Sequence, residues 1–478
     1  MLKTIVMAAG EGTRMKSQKS KVLHKLLNRE IIRYVVDASR FKDSQTIVIG
    51  GKNKSDLEEI LDNVIIIEQK IGEEYPYGTG YAASLAIDYI DDDDQVLVLN
   101  GDIPLITKGS LEEFIKNHID NNNSASVLST RLINPKSYGR IIRDDNGEFI
   151  GIVEHKDLRL GQDIIDEINT GIYIFKGSDL KIALKSLNSE NEQNELYLTD
   201  CIEILYNQAK KVMAFTASDP NEFYGINTKK ELAEAKKILQ KRINENHMLN
   251  GVIIEDPEMA FIDPEVIIGV DTIISGPVKL LGKTEIGENC ILEGSTRIVD
   301  SIIKDKVRVD NSVIENSFMD ENSDIGPYSH LRPKAKLGKN VHIGNFVEVK
   351  NATLNDGCKA GHLAYIGDCD LGSNINVGCG VIFVNYDGKF KHRSTVGDHA
   401  FIGSNANIVA PVNIAKDAFI AAGSTITKDV DEGYLSIERA DQKNIEGYVE
   451  KKRKRDLEKE KEQQWHLINH NLIFKEEN

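Results

Sequence analysis

Two hydrophobic rhythms divide the chain. Up to about residue 228, short apolar runs alternate with stretches of helical periodicity, and after Gly251 one aliphatic residue recurs every six positions. Leu2–Val6, Thr46–Gly50, Val64–Ile67, Gln95–Leu99, Ala125–Thr130, Gly171–Phe175 and Val212–Phe215 are near-continuous apolar runs, the pattern of strands buried on both faces. Ile31–Ser39, Asp56–Leu61, Gly80–Tyr89 and Ser110–Asn121 carry helical patterns between them. The alternation predicts an α/β domain with a Rossmann-like mixed sheet, mostly parallel and covered on both faces. Ligands of such sheets gather at the carboxyl ends of the strands. From Thr228 to Asn246 the pattern becomes one long charged helix, read as a linker.

In the second rhythm the aliphatic residue is usually followed by a small one, as in Ile268-Gly269, Ile286-Gly287, Leu337-Gly338, Ile366-Gly367, Val377-Gly378 and Ile402-Gly403. This period predicts a left-handed parallel β-helix of hexapeptide repeats. Each hexapeptide forms one flat side, its aliphatic side chain points inward, and Gly, Asn or Asp turns the corner. The period breaks at Val384–Ser394, which reads as a protruding loop, and interrupting loops commonly carry function. The expected division is therefore 1–228, a helical linker 229–249, a β-helix 250–445 and a charged tail 446–478.

Chemistry begins where the first apolar run stops. Leu2–Val6 breaks into Met7-Ala8-Ala9-Gly10-Glu11-Gly12-Thr13-Arg14-Met15, and an apolar pattern resumes at Lys21-Val22-Leu23-His24, predicting a strand, a tight loop and a helix. Small residues leave the backbone N–H groups bare to an anion, and Arg14 and Lys21 add two cations at the rim, a combination suited to phosphates. The spacing matches neither G-x-G-x-x-G nor G-x-x-x-x-G-K-[ST], so it licenses neither a dinucleotide fold nor a P-loop.

Composition narrows the classes. With 478 residues, two or three domains are expected, and a formal charge of -16 argues against a general nucleic-acid binder. Phosphate chemistry must then rest on local cations in a cleft. The five cysteines show no C-x-x-C spacing and read as reduced cytoplasmic thiols. No signal peptide is visible, and no apolar stretch approaches the ~20 residues of a membrane span. Asp91–Asp94 reads as a solvated turn. Lys451–Arg455, a basic five-mer beside Asp456 and Glu458, reads as a solvated helix rather than a nucleic-acid patch. Trp465, Leu467, Ile468 and Phe474 are candidate anchors for that tail.

Further polar groups stand at strand ends. Gly101-Asp102 follows Gln95–Leu99, and a hard oxygen there suits Mg²⁺, although such an Asp is also a common structural cap. Asn227 offers a second oxygen or, alternatively, the N-cap of the long helix. Glu154 and Asn169, flanked by apolar residues, suit sugar hydroxyls and amides at a cleft or are satisfied strand-edge groups.

Taken together these motifs carry a resemblance. The opening loop with Lys21, Gly78-Thr79-Gly80, Gly101-Asp102, Tyr138-Gly139-Arg140, Val153-Glu154-His155-Lys156, Asn169-Thr170-Gly171 and Gly225-Ile226-Asn227 resemble the sugar-1-phosphate nucleotidyltransferases. Joined to Arg332-Pro333, Val347-Glu348-Val349-Lys350, Gly361-His362-Leu363-Ala364-Tyr365 and Asn385-Tyr386-Asp387-Gly388, they resemble the bifunctional N-acetylglucosamine-1-phosphate uridyltransferase/glucosamine-1-phosphate N-acetyltransferases, from the first strand to about Arg439.

The resemblance implies that UTP is the nucleotide and Mg²⁺ the metal. Met7, Ala8, Ala9, Gly10, Gly78 and Thr79 would hold the uridine, Arg14 and Lys21 would neutralise phosphates, and Asp102 with Asn227 would bind Mg²⁺. Gly139, Glu154 and Asn169 would hold the sugar. In the second half acetyl-CoA would acylate glucosamine 1-phosphate, with His362 as general base because imidazole titrates near working pH; a lone His in a β-helix turn is more often structural. Arg332, Lys350, Tyr365 and Asn376 would hold the amino-sugar phosphate, and Cys379, Asn385, Tyr386, Ser404, Ala422 and Arg439 the acetyl-CoA. The family implies a homotrimer in the cytoplasm, acting on small molecules, with no nucleic acid and no membrane span.

Three positions depart from the family pattern. Gln69 stands nine residues before Gly78, where five is usual and Glu73 occupies that place, so Gln69 displaced by an insertion is the expected base reader. Asn100 replaces an aromatic, and Cys379 replaces an alanine. Two alternatives stay open: a nucleotidyltransferase whose β-helix only assembles or regulates it, and a non-catalytic scaffold or sensor.

Overall fold

The computed structural model describes residues 1–478 apart from 11, 71, 73, 136–137, 189–194 and 477–478, and the side chains of 468–476 are likewise outside the described set. It divides into two compact units, Met1–Pro333 and Lys334–Asn478.

Within the first unit the described residues build a sheet from β1 (Leu2–Ala8), β2 (Ser44–Gly50), β3 (Ile65–Glu68), β4 (Gln95–Asn100), β5 (Ala125–Arg131), β6 (Arg140–Arg143), β7 (Phe149–Val153), β8 (Glu167–Lys176) and β9 (Val212–Ala217). The order is β9-β5-β8-β4-β1-β2-β3, with the β6–β7 hairpin attached to β8. β1 runs parallel to both β2 and β4, whereas β8 is antiparallel to β4 and β5, giving the mixed, mostly parallel sheet. Ile5, Val6, Ile47, Val48, Leu97 and Val98 are fully buried, as strands covered on both faces require.

The pattern missed the β6–β7 hairpin, because Arg140–Arg143 places cations at both ends of a four-residue strand. It also missed the helices Gly177–Lys185 and Leu198–Asn207. The helix expected after the opening loop is not there: Thr13–Met15 and Lys21–Leu23 are single 3₁₀ turns, and the first α-helix is Ile31–Ala38. Its reason is local, since left-handed conformations at Gly12 (φ 62°) and Lys16 (φ 46°) bend the chain back on itself. Asp91–Asp94 is not wholly a solvated turn either. Asp94 is buried, accepts from the Asp91 N–H at 2.8 Å and pairs with the amino terminus at 3.0 Å.

The charged helix spans Lys229–Leu249 and begins with a capping box, Thr228 accepting from the Glu231 N–H at 3.2 Å. Its Ala235 and Leu239 pack with Leu26, Ile31, Leu105 and Ile226, while Gln240 and Asn244 donate to the carbonyls of Ile262 and Ala260 at 3.2 and 3.0 Å. The helix is thus fastened to the sheet body and to the first β-helix coil.

Both units contain hexapeptide coils. In the first, Ile254, Ile274, Leu292, Val309 and Ile325 align rung upon rung with their side chains buried. In the second, Leu337, Leu354, Leu371, Val396 and Ile414 do the same. Corners are turned by positive-φ residues such as Asn289, Asn322, Asn340 and Asn374, the residue type that tolerates αL. Tyr448–Glu476 is a helix, as the tail's charge pattern predicts, and Trp465 and Leu467 on it are more than 60% exposed. Among the described residues no helix is long and apolar enough to cross a membrane.

Candidate functional site

β1 ends at Ala8 between β2 and β4, so the opening loop emerges at the carboxyl edge of the sheet. A Cβ on Gly12 would stand 2.7 Å from Lys21 Cβ, so only glycine lets the returning chain lie this close. Asn53 fixes the loop from the other side, its Nδ2 donating to the Ala8 carbonyl at 3.1 Å and to Ser20 Oγ at 3.0 Å. A Cβ on Gly10 would meet nothing within 4 Å, so the backbone there faces open space. Met7 is half-buried, and Ala9 lies against Gly51.

The folded-back loop brings together residues from three motifs. Lys21 Nζ donates to Asp102 Oδ2 at 2.5 Å and to Asn227 Oδ1 at 2.9 Å, and Arg14 donates to the same Asn227 oxygen at 2.9 Å. Asp102 is set by Gly101, whose N–H donates to the Met7 carbonyl at 2.9 Å. Asn227 is set by the neighbouring Ile226 N–H, donating to the Asp102 carbonyl at 2.9 Å. Thr228 rather than Asn227 caps the long helix, and Glu231 Oε2 accepts the Asn227 N–H at 2.8 Å. The cap therefore leaves the Asn227 side chain to the site.

The oxygens of Asp102 and Asn227 converge on a single cation, the Lys21 ammonium, and they are hard donors. Such a pair fits a divalent ion that takes its remaining ligands from phosphates and water. Among the described residues no three His, Cys, Asp or Glu side chains converge to make an all-protein metal cage. Arg14, Asp102 and Asn227 line a cleft of about 340 Å³ together with Asn100, Tyr138 and Thr170. Asn100 donates to the Gly171 carbonyl at 3.4 Å.

Gln69 is buried at the end of β3, its N–H donating to the Gly50 carbonyl at 2.7 Å, which puts it on the same sheet edge as the loop. Glu73 lies outside the described residues. Gly78 caps the helix Thr79–Ser84, and Thr79 Oγ1 accepts from the Leu198 N–H at 3.0 Å.

The three residues expected on the sugar also meet. A Cβ on Gly139 would lie 3.3 Å from the Glu154 carboxylate, and the Gly139 carbonyl accepts the Asn169 N–H at 2.9 Å. The Asn169 amide is engaged inside its own strand, donating to Tyr173 Oη at 2.8 Å and accepting from the Gly171 N–H at 3.0 Å. The Glu154 carboxyl is pushed above the ordinary carboxylate range, first by the protein walls around it and then by Asp157 and Asp200.

In the second unit, Ala360, Val377, Ile402 and Ile420 are paired rung to rung. Carried two residues on, this register sets His362, Cys379, Ser404 and Ala422 in one column at a corner, all exposed. The Asn405 N–H to Cys379 carbonyl bond of 2.7 Å and the Gly423 N–H to Ser404 carbonyl bond of 2.8 Å mark the same alignment. Arg439 donates to the Ala422 carbonyl at 3.0 Å, closing the foot of the column.

Lys350 ends the strand His342–Lys350 and pairs with Gly367; the Tyr365 hydroxyl lies against that glycine, where a Cβ would stand 2.5 Å away. Asn385 is buried and donates to Tyr365 Oη at 3.3 Å. Asn376 is exposed, between Lys359 and Phe401 on the adjoining rungs. Arg332 belongs to the first unit, where its carbonyl accepts from Ser317 Oγ at 3.0 Å.

The break at Val384–Ser394 is a small hairpin, with Tyr386 bridged to Lys391. Asp387 organises it, bonding His392 Nε2 at 2.7 Å and the N–H groups of Lys389 and Phe390 at 2.8 and 2.7 Å, and His392 first, then these N–H groups, hold its carboxyl down at about 2. The Tyr386 hydroxyl donates to the Gly388 carbonyl at 2.6 Å. Sequence reasoning passed over Asp368, whose carboxylate accepts from Asn385 Nδ2, because an Asp at a coil corner looks like any other turn residue.

Comparison with known proteins follows the same two halves. Residues 3–241 match the nucleotidyl transferase family, and residues 393–428 match the bacterial transferase hexapeptide (six repeats) family, the repeat of the left-handed parallel β-helix. The chain is 48% identical to the bifunctional protein GlmU of Clostridioides difficile (strain 630), over 95% of this chain and 98% of that one. It is 46% identical to the protein of the same name from Alkaliphilus oremlandii (strain OhILAs), over 94% and 98%. The corresponding protein of Enterococcus faecalis (strain ATCC 700802 / V583) is also 46% identical, over 94% and 97%. With both domain types present in this order and near-complete coverage of relatives well above 30% identity, the chain belongs to the family of bifunctional GlmU proteins.

Proposed function

We infer that this chain carries out two transfers at two separate sites: acetylation of glucosamine 1-phosphate by acetyl-CoA, and uridylylation of the resulting N-acetylglucosamine 1-phosphate by UTP. The observation that carries the reading is the convergence of Arg14, Lys21, Asp102 and Asn227 from distant parts of the sequence onto one point at the sheet's carboxyl edge. The second unit adds a separate corner column headed by His362.

In the uridyl step the phosphate oxygen of the sugar attacks the α-phosphorus of UTP. A P–O bond forms, the P–O bond to the β-phosphate breaks, and pyrophosphate leaves. In-line positioning and neutralisation of charge govern such a displacement. The bare backbone of Met7, Ala8, Ala9 and Gly10 holds the uridine with Gly78 and Thr79, and Gln69 reads the base. Arg14 and Lys21 meet the phosphates. Gly139, Glu154 and Asn169 hold the sugar. Asp102 and Asn227 hold Mg²⁺, which when bound supplies further positive charge beside the phosphates.

In the acetyl step the sugar amine attacks the thioester carbonyl. A C–N bond forms, the C–S bond breaks, and the CoA thiol leaves. His362 takes the amine proton. An extended thiol arm lying down the column over Cys379, Ser404 and Ala422 toward Arg439 brings its acyl end to His362, with Asn385 and Tyr386 alongside. Lys350, Tyr365 and Asn376 hold the amino-sugar phosphate. The β-helix assembles the chain as a homotrimer, and the enzyme works in the cytoplasm. The functional partition is 1–228 for uridyl transfer, 229–249 as the connecting helix, 250–445 for acetyl transfer and 446–478 as a tail.

Two variants test the reading. His362→Ala abolishes CoA release while uridyl transfer continues, and loss of both together contradicts separate sites. Asp102→Ala abolishes metal-dependent pyrophosphate release, and an unchanged rate at limiting Mg²⁺ refutes the metal assignment.

A further inference from the structure

Asp368 sits at a coil corner in the second unit, with φ 48° and 6% of its surface exposed. Each of its carboxylate oxygens accepts from a side-chain amide. Oδ1 takes Asn351 Nδ2 at 2.5 Å, and Oδ2 takes Asn385 Nδ2. Carboxylate oxygens accept and an amide nitrogen donates, so the nitrogen of Asn385 faces Asp368, which sets the sense of that amide. The second N–H of the same amide runs to Tyr365 Oη at 3.3 Å.

Counting donors and acceptors gives the consequence. Both N–H groups of Asn385 are spent, so its Oδ1 remains as an acceptor. Tyr365 Oη already accepts, so its own proton remains for donation. Gly367 makes room for this arrangement, since a Cβ there would stand 2.5 Å from the Tyr365 hydroxyl.

We propose that Asp368 is a positioning residue for acetyl transfer, setting the hydrogen-bond polarity of the Asn385–Tyr365 pair so that it presents one acceptor and one donor to the reactants. The acceptor suits an N–H, which the sugar amine and the amides of the CoA arm carry, and the donor suits a phosphate or hydroxyl oxygen. The proposal rests on the acetyl-transfer reading of this site. Asp368 touches neither reactant and acts through Asn385.

Asp368→Asn keeps the shape and puts a donor where an acceptor stood. The expected result is a fall of at least tenfold in kcat/KM for acetyl transfer, with uridyl transfer on the same protein and the melting temperature unchanged. Wild-type acetyl transfer in this variant overturns the proposal. A double-variant cycle supplies the readout that a general packing role does not move. Because Asp368 acts through Asn385, Asp368→Asn combined with Asn385→Ala is expected to lose no more than Asn385→Ala alone; multiplying losses overturn the proposal.

Asn351→Ser releases the far oxygen of Asp368 without touching the pair, and acetyl transfer within about threefold of wild type is expected. A loss equal to that of Asp368→Asn means that Asp368 only holds the corner, and the proposal falls. Should Asp368→Asn lose its thermal transition, Asp368→Ser is judged by the same criteria. Failure of the underlying reading is seen separately, as wild-type protein that releases no CoA, and that outcome overturns this proposal with it.

Discussion

At the scale of the residue, the uridyl site depends on backbone space as much as on charge. Gly12 has φ 62° and lies against Lys21. Gly12→Ala is expected to cost roughly 1–2 kcal/mol through backbone strain and to displace Lys21. A KM for UTP raised at least tenfold in steady-state kinetics checks this. Glu154 carries a pH prediction. Its carboxyl is raised by the surrounding walls and by Asp157 and Asp200. On the proposed reading the ionised form accepts sugar hydroxyls and is lost as pH falls through that raised value, so the KM for N-acetylglucosamine 1-phosphate is expected to rise at a higher pH than an ordinary Glu would give. Glu154→Gln is expected to flatten that profile, and an unchanged profile contradicts the assignment.

Elements decide which residues are free to act. Asn227 is available because Thr228 takes the cap and Glu231 holds the Asn227 backbone at 2.8 Å. Thr228→Ala is expected to cost about 1 kcal/mol in denaturant unfolding. Glu231→Ala is expected to raise the Mg²⁺ concentration for half-maximal uridyl transfer and to leave acetyl transfer untouched. The hairpin of Asn385–Arg393 is held by Asp387, whose carboxyl lies at about 2. A carboxyl lowered in the fold contributes order that is present above the ordinary Asp range and is lost only as pH falls toward 2. Hydrogen exchange of the Lys389 and Phe390 amides is therefore expected to stay slow at pH 4 and to quicken in Asp387→Ala.

Elements also explain what was legible. Long apolar runs and the six-residue period were visible because burial on both faces, or inside a coil, dictates them directly. The β6–β7 hairpin was hidden because its short first strand carries a cation at each end, and the 3₁₀ turns because they follow from close approach, as between Gly12 and Lys21, and not from any period. The motif positions 14, 21, 102 and 227 could be read along the chain, but their meeting was implied only by the family resemblance, because no period or spacing carries it. Asp368 left no sign at all, since its role depends on two amides seventeen residues away in either direction along the coil.

For the whole molecule, a net charge of -16 leaves the handling of anionic substrates to a few local cations, and the proposed function assigns them to two transfers. One chain is then expected to turn glucosamine 1-phosphate into a nucleotide sugar without help. The direct measurement follows CoA thiol and pyrophosphate together in purified protein supplied with glucosamine 1-phosphate, acetyl-CoA, UTP and Mg²⁺. The account predicts that both appear in equal amounts, CoA first, with His362→Ala yielding neither until N-acetylglucosamine 1-phosphate is added and pyrophosphate alone thereafter. Pyrophosphate from N-acetylglucosamine 1-phosphate with no CoA release from the wild-type chain would contradict it.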